Sequence, residues 1–183
     1  MATKHFLYGV PGVGKSTIAR QLASKYNYLY IELDNIRSKA QKRALIDEEP
    51  FIYEYSTEAW KKFGELNQDT AVKGFLAVRA AFQKYISEEL NQHGPGYIAE
   101  AVYIDPNIMV EDEDTITMLV VTKDEKFHYS HFFLHRDHSQ EEDNQFKAAR
   151  YIQDYLVEEA NKLGINILEN STEDVSITIN NNL

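Results

Sequence analysis

The chain predicts an α/β fold in three layers, with helices on both faces of a mostly parallel, five-stranded sheet. Two observations carry that expectation. Short apolar runs alternate with longer stretches that are apolar at helical spacing, the pattern of a sheet covered on both sides. A glycine-rich string, Gly9-Val10-Pro11-Gly12-Val13-Gly14-Lys15-Ser16-Thr17, joins the first apolar run to the first helical stretch.

The elements follow in order. His5-Phe6-Leu7-Tyr8 lies in a first strand over about residues 4–9, and Thr17 to Ala23 belongs to a helix over about 15–26. Tyr28-Leu29-Tyr30-Ile31-Glu32-Leu33 reads as a second strand, with Asp34 at its end as cap of a helix over about 35–46. Residues 57–67 are helical in pattern. A longer amphipathic helix over 69–92 is closed by His93-Gly94-Pro95-Gly96. Tyr97 to Val102 and Thr115 to Thr122 are the third and fourth strands, and Phe127 to Leu134 is expected to be a hairpin or edge strand. A helix over about 140–163 ends at Gly164, a natural C-cap, and Ile165 to Leu168 is the last strand. No repeat or linker divides the chain, so a single domain over 1–183 is expected, with a lid segment near 135–150.

The sequence has 183 residues, enough for a full core that buries roughly 70% of the unfolded surface. Twenty-nine acidic residues against 19 basic ones give a net charge of −10, which argues against a general nucleic-acid or anionic-membrane binder. There is no cysteine, hence no disulfide and no thiolate metal site. The first strand begins at once, and no apolar run approaches membrane-spanning length, so a cytoplasmic protein is expected.

The glycine-rich string has the spacing of a phosphate-binding loop, and the chance of such a string arising somewhere in a chain is about one per cent or less. Gly9, Gly12 and Gly14 let backbone N–H groups, with those of Val13, Lys15, Ser16 and Thr17, turn onto a β-phosphate. The positive end of the next helix adds its dipole there. Lys15 can reach the β- and γ-phosphates, and the Ser16 hydroxyl can ligate Mg²⁺. This places the fold with the phosphate-loop NTPases and kinases. An Asn-Lys-x-Asp element for guanine is absent, which favours ATP.

In an open parallel sheet ligands bind outside the C-terminal strand ends, where Asp34, Glu100 and Glu169 are expected. Asp34, with Arg37 one turn on, suits a carboxylate that orients or deprotonates an acceptor hydroxyl beside a guanidinium that holds its anionic group; a plain helix cap is the alternative. Glu100 stands where an acid contacts the Mg²⁺ shell or the attacking water. A zinc site from His128, His131, His135 and His138 is disfavoured, since an alternating strand would point His128 and His131 to opposite faces and no fixed ligand spacing fits. Arg136 and Arg150 better suit a lid closing over the transferring phosphoryl group. The acidic run Glu111 to Asp114 reads as a solvated turn, and Phe51, Tyr53, Tyr55 and Trp60 read as packing.

The order of these parts resembles the small phosphate-loop kinases of the nucleoside-monophosphate and shikimate kinase type, and more closely the 2-phosphoglycerate kinase family. The likeness rests on Asp34 to Arg37, Gly74-Phe75 on the long helix, and Glu100-Ala101-Val102-Tyr103-Ile104-Asp105-Pro106. It continues through His128 to Phe132 and Arg136, through Ala149-Arg150-Tyr151-Ile152-Gln153, and to Leu168-Glu169-Asn170. Ala101 replaces the family's glycine and Tyr103 its histidine, while Tyr129 and His131 stand where the lid has arginines. Arg37, Arg79, Arg136 and Arg150 remain, enough for one phosphate or carboxylate. The resemblance implies transfer of the γ-phosphoryl group of ATP, with Mg²⁺, to a hydroxyl of a small anionic metabolite such as 2-phosphoglycerate. A nucleotide-dependent regulatory ATPase, or a toxin- or antibiotic-type phosphotransferase, shares the same parts and stays open.

Overall fold

The computed structural model describes residues 3–109, 114–134, 136 and 139–171. Five strands, β1 (Lys4–Tyr8), β2 (Leu29–Glu32), β3 (Tyr97–Ala101), β4 (Thr115–Val121) and β5 (Asn166–Glu169), form one parallel sheet in the order β2-β3-β1-β4-β5. Its registers run Lys4 to Tyr8 against Tyr97 to Ala101 on one side and against Thr115 to Leu119 on the other. The three central strands are apolar on successive residues because both faces are covered; every residue of β3 is buried. Phe6, Leu7, Ile98, Leu119 and Val120 make the centre of a continuous core.

Six helices accompany the sheet among the described residues: α1 (Lys15–Tyr26), α2 (Ile36–Gln41), α3 (Gln68–Leu90), α4 (Pro106–Met109), α5 (Glu125–Phe132) and α6 (Gln140–Leu163). In α1, Ile18, Ala19, Leu22 and Ala23 form the buried stripe. A capping box between Asn67 and Thr70 starts α3, whose Phe75 meets Tyr155 of α6 edge-on, at 6.4 Å between ring centres. The Ser139 side chain caps α6 at the Glu142 N–H, and Gly164 ends it in the left-handed region at φ 68°. None of these helices is long and apolar enough to cross a membrane.

Three sequence expectations are corrected. Residues 125–132 are helix α5, not a strand or hairpin. Asp124 caps it by accepting the Phe127 N–H, and the buried residues His128 and Phe132 are four apart, a helical spacing that a cluster of neighbouring aromatics disguised. The helical pattern at 57–67 yields a 3₁₀ turn, Ala59–Lys62. The helix expected over 35–46 is shorter: a 3₁₀ turn at Leu33–Asn35 leads into α2, which stops at Gln41. Glu111 to Glu113, His135, His138 and the terminal Asn180-Asn181-Asn182-Leu183 lie outside the described residues.

Candidate nucleotide and phosphoryl-transfer site

The C-terminal ends of β1, β2 and β3 converge above α1, and the glycine-rich loop turns between β1 and α1. Gly14, the residue before α1, sits at φ 85° and ψ 14°, a left-handed conformation that glycine adopts without penalty. The side chain of Asn170, just past β5, donates to the Val13 carbonyl at 2.9 Å and braces the loop. Lys15 is buried, and its ammonium arches back to the Val10 carbonyl at 3.1 Å, so its charge lies over the loop.

Glu100 on β3 is 1% exposed. Its Oε1 accepts from the Ser16 hydroxyl at 2.8 Å and from Tyr30 Oη at 3.0 Å. Its Oε2 is buried with no hydrogen-bond partner among the described residues, a costly state for a carboxylate oxygen unless something binds there. Mg²⁺ takes oxygen ligands and is commonly held by one or two protein groups together with substrate phosphates. The orphaned carboxylate oxygen beside the Ser16 hydroxyl therefore fits Mg²⁺. No group of three or more histidine or acidic side chains that could hold a metal occurs among the described residues, which do not include His135 and His138.

A cavity of about 580 Å³ opens beside the loop, and Lys15, Ser16, Asp34, Arg37 and Arg136 all line it. Asp34 occupies the 3₁₀ turn after β2 and is not a helix cap, because the cap position of α2 is Asn35. The Asp34 carboxyl opens onto the cleft yet has protein on most sides. That loss of water raises it above the ordinary carboxylate value, and Glu100 and Glu32 push the same way. The Lys15 charge and a hydrogen bond from the Val102 backbone oppose the rise.

Arg37 shares the cavity but has most of its donors engaged. It donates to the Ile52 carbonyl at 2.9 Å, to the Glu54 carbonyl at 3.0 Å and to Tyr103 Oη. Its guanidinium also lies 4.6 Å from the ring centre of Tyr55. It thus pins the 52–54 segment and leaves part of its donor fork for a ligand. Arg136 leans on the Phe132 ring at 3.9 Å and donates to the Phe132 carbonyl at 3.3 Å, so α5 sets its place at the cavity edge. Burial lowers its pKa from the usual arginine value.

Two arginines expected at this site stand elsewhere. The Arg79 side chain is 4% exposed between α3 and α6, in a two-pronged pair with Glu159 at 2.8 and 3.0 Å. It is absent from the cavity lining, so no part in acceptor binding follows from its position. Arg150 is absent from the lining of the loop cavity and lines a second one beside Lys123 and Glu169. Its Nη1 donates to the Thr122 carbonyl at 2.8 Å, which fastens α6 to the end of β4.

Several site residues escaped sequence reasoning. Ser56, Thr57, Glu58 and Gln145 line the cavity, yet they come from an irregular segment and a helix face with no shared motif. Tyr55, expected as packing, is 57% exposed and also borders it. Tyr30 could have been found from strand alternation, since it is paired in register with Ile98, two residues before Glu100.

The loop, its buried lysine, the serine–glutamate pair and the parallel sheet define a phosphate-loop nucleotide-binding domain of the small-kinase structural type. The chain belongs to the AAA domain family, whose model matches residues 5–107. It is 30% identical over 175 residues to a 2-phosphoglycerate kinase from Methanocaldococcus jannaschii, covering 88% of this chain and 56% of that protein. It therefore spans little more than half the length of that relative. A mevalonate-3-phosphate 5-kinase from Thermoplasma acidophilum is 26% identical over 184 residues, covering 94% of this chain and 89% of that one. Among solved structures, a gluconokinase from Sinorhizobium meliloti superposes with a TM-score of 0.59 at 9% identity, covering 100% and 90% of the two chains, a likeness of fold.

Proposed function

We propose that this chain is an ATP-dependent small-molecule kinase that transfers the γ-phosphoryl group to a hydroxyl of a small anionic metabolite, 2-phosphoglycerate or a close analogue, in the cytoplasm. One observation carries the reading: phosphate-loop Lys15 and Ser16 share a single cavity with the Asp34 carboxylate and the Arg136 guanidinium. Phosphoryl transfer asks a protein mainly for positioning and charge, and these groups supply both. The resemblance to 2-phosphoglycerate kinase and mevalonate-3-phosphate 5-kinase supports the class of acceptor, a hydroxyl on an already anionic molecule.

In this reading the N–H groups of the loop from Gly9 through Gly12, Val13 and Gly14 to Thr17 hold the ATP phosphates, and Lys15 neutralises them. Ser16 and Glu100 hold Mg²⁺, which when bound offsets phosphate charge. Asp34 orients the acceptor hydroxyl and takes its proton; its raised pKa, close to the cationic Lys15, suits a group that must accept one. Arg136 meets the charge of the transferring group, and Arg37 offers its remaining donors to the anionic end of the acceptor. The experiment is a thermal-shift and coupled ADP-release screen with ATP, Mg²⁺ and a panel that includes 2-phosphoglycerate, glycerate and mevalonate phosphates. A true acceptor raises the melting temperature by mass action and releases ADP. If no member of such a panel stimulates ADP release while ATP still binds, the kinase reading gives way to a nucleotide-dependent switch.

A further inference from the structure

We propose that His128 is a positioning residue for the phosphate loop: a neutral imidazole that holds the Pro11 carbonyl on one side and is itself held by Arg150 on the other. The proposal rests on the nucleotide-binding reading above. His128 lies in α5 and is fully buried. Its Nε2 stands 2.9 Å from the Pro11 carbonyl oxygen, which only accepts, so Nε2 carries the proton. Its Nδ1 stands 3.3 Å from Arg150 Nη1, which only donates, so Nδ1 presents its lone pair. The two contacts select the same tautomer, and burial together with the nearby Arg150 and Lys15 charges keeps the ring neutral.

Arg150 is fixed in turn by the Thr122 carbonyl. One line of hydrogen bonds therefore joins the end of β4, through α6 and α5, to the loop. Steric contact reinforces it. A Cβ on Gly12 would come 3.0 Å from Phe132 Cα and 3.2 Å from the His128 ring, so α5 lies directly against the loop. The Phe146 ring packs on His128 at 5.1 Å and holds the imidazole plane. A carbonyl held this way leaves the loop fewer conformations, so its N–H groups spend more time in the phosphate-binding arrangement, and apparent affinity scales with that fraction. The same helix seats Arg136 on Phe132, so the loop and that arginine share one support.

The test is calorimetric titration of MgADP into the full chain and its variants, with steady-state kinetics on ATP. His128→Ala should weaken MgADP binding roughly three- to tenfold, the scale of one buried hydrogen bond, and raise KM for ATP more than it changes kcat. His128→Gln, whose amide N–H reaches the same carbonyl, should recover most of that loss, and the shorter His128→Asn should not. In an Arg150→Met background, His128→Ala should cost less than it does alone, because the two act in series. Wild-type affinity in His128→Ala, or equal behaviour of Gln and Asn, overturns the proposal. Should the variants fail to fold, histidine ¹⁵N NMR on the wild-type chain decides it: a protonated Nε2 and bare Nδ1 support the relay, and the opposite tautomer overturns it. Absence of any MgADP binding by the wild type would remove the nucleotide reading alone, while the tautomer measurement still tests the contact.

Discussion

Replacing Arg79 with methionine leaves the Glu159 carboxylate between α3 and α6 without its guanidinium. The pair is bidentate, with side-chain exposures of 4% and 10%, and Tyr155 Oη donates a further hydrogen bond to Glu159 at 2.9 Å. Methionine keeps most of the contact with the Phe75 ring, over which the guanidinium lies at 4.5 Å, so the change isolates the charge. Removing one partner of a buried pair costs about 3–5 kcal/mol, since the survivor is left desolvated. For a chain of 183 residues each kcal/mol moves the midpoint by about 2–4 °C, giving a fall of roughly 6–20 °C. The slight exposure of the Glu159 side chain favours the lower half of that range. Differential scanning calorimetry at pH 7 measures it. Arg79→Met with Glu159→Leu should regain most of the loss, because no charge then remains in the interface. A single variant that melts within about 2 °C of wild type, while its KM for the acceptor rises tenfold or more, would refute the structural role and return Arg79 to ligand binding.

Other expectations follow from the same geometry. Lys15→Ala should lower ATP affinity at least tenfold in calorimetric titration, with the far-ultraviolet circular dichroism of the wild type retained. Asp34→Asn should lower kcat by about 10²–10⁴ with MgADP affinity little changed, a split that steady-state kinetics and titration separate. Because the Asp34 carboxyl is raised, the acid limb of the kcat/KM profile should lie above the ordinary carboxylate range and vanish in that variant. The buried His128 imidazole is lowered to about 4, below its unfolded value, so the stability it contributes is present near neutral pH. That contribution is lost as pH falls from about 6.5 towards 4, and His128→Gln should flatten the melting temperature across that window.

Local chemistry made much of this protein legible from its sequence. The Gly9 to Thr17 string needs only neighbouring residues to form its turn, and Gly164 ends α6 through bonds within a few residues. The central strands announce themselves because burial on both faces demands unbroken apolar runs, and Glu100 could be placed at a strand end for the same reason. The shared cavity of Lys15, Asp34, Arg37 and Arg136 was within reach because strand ends of a parallel sheet all point one way. What the tertiary structure decided was where long side chains terminate. Arg79 and Arg150 lie on helices at plausible positions, but an arginine spans several ångströms, and the direction it takes depends on which neighbour offers an acceptor. Glu159 captured one across the helix pair, and the Thr122 carbonyl captured the other. The hydrogen bond from His128 to Pro11 crosses 117 positions of sequence, and α5 looked strand-like until its buried face had a loop to pack against. Such contacts exist only once the sheet has ordered its strands, because spacing along a chain encodes turns and faces, while distance between remote side chains is a property of the packed whole.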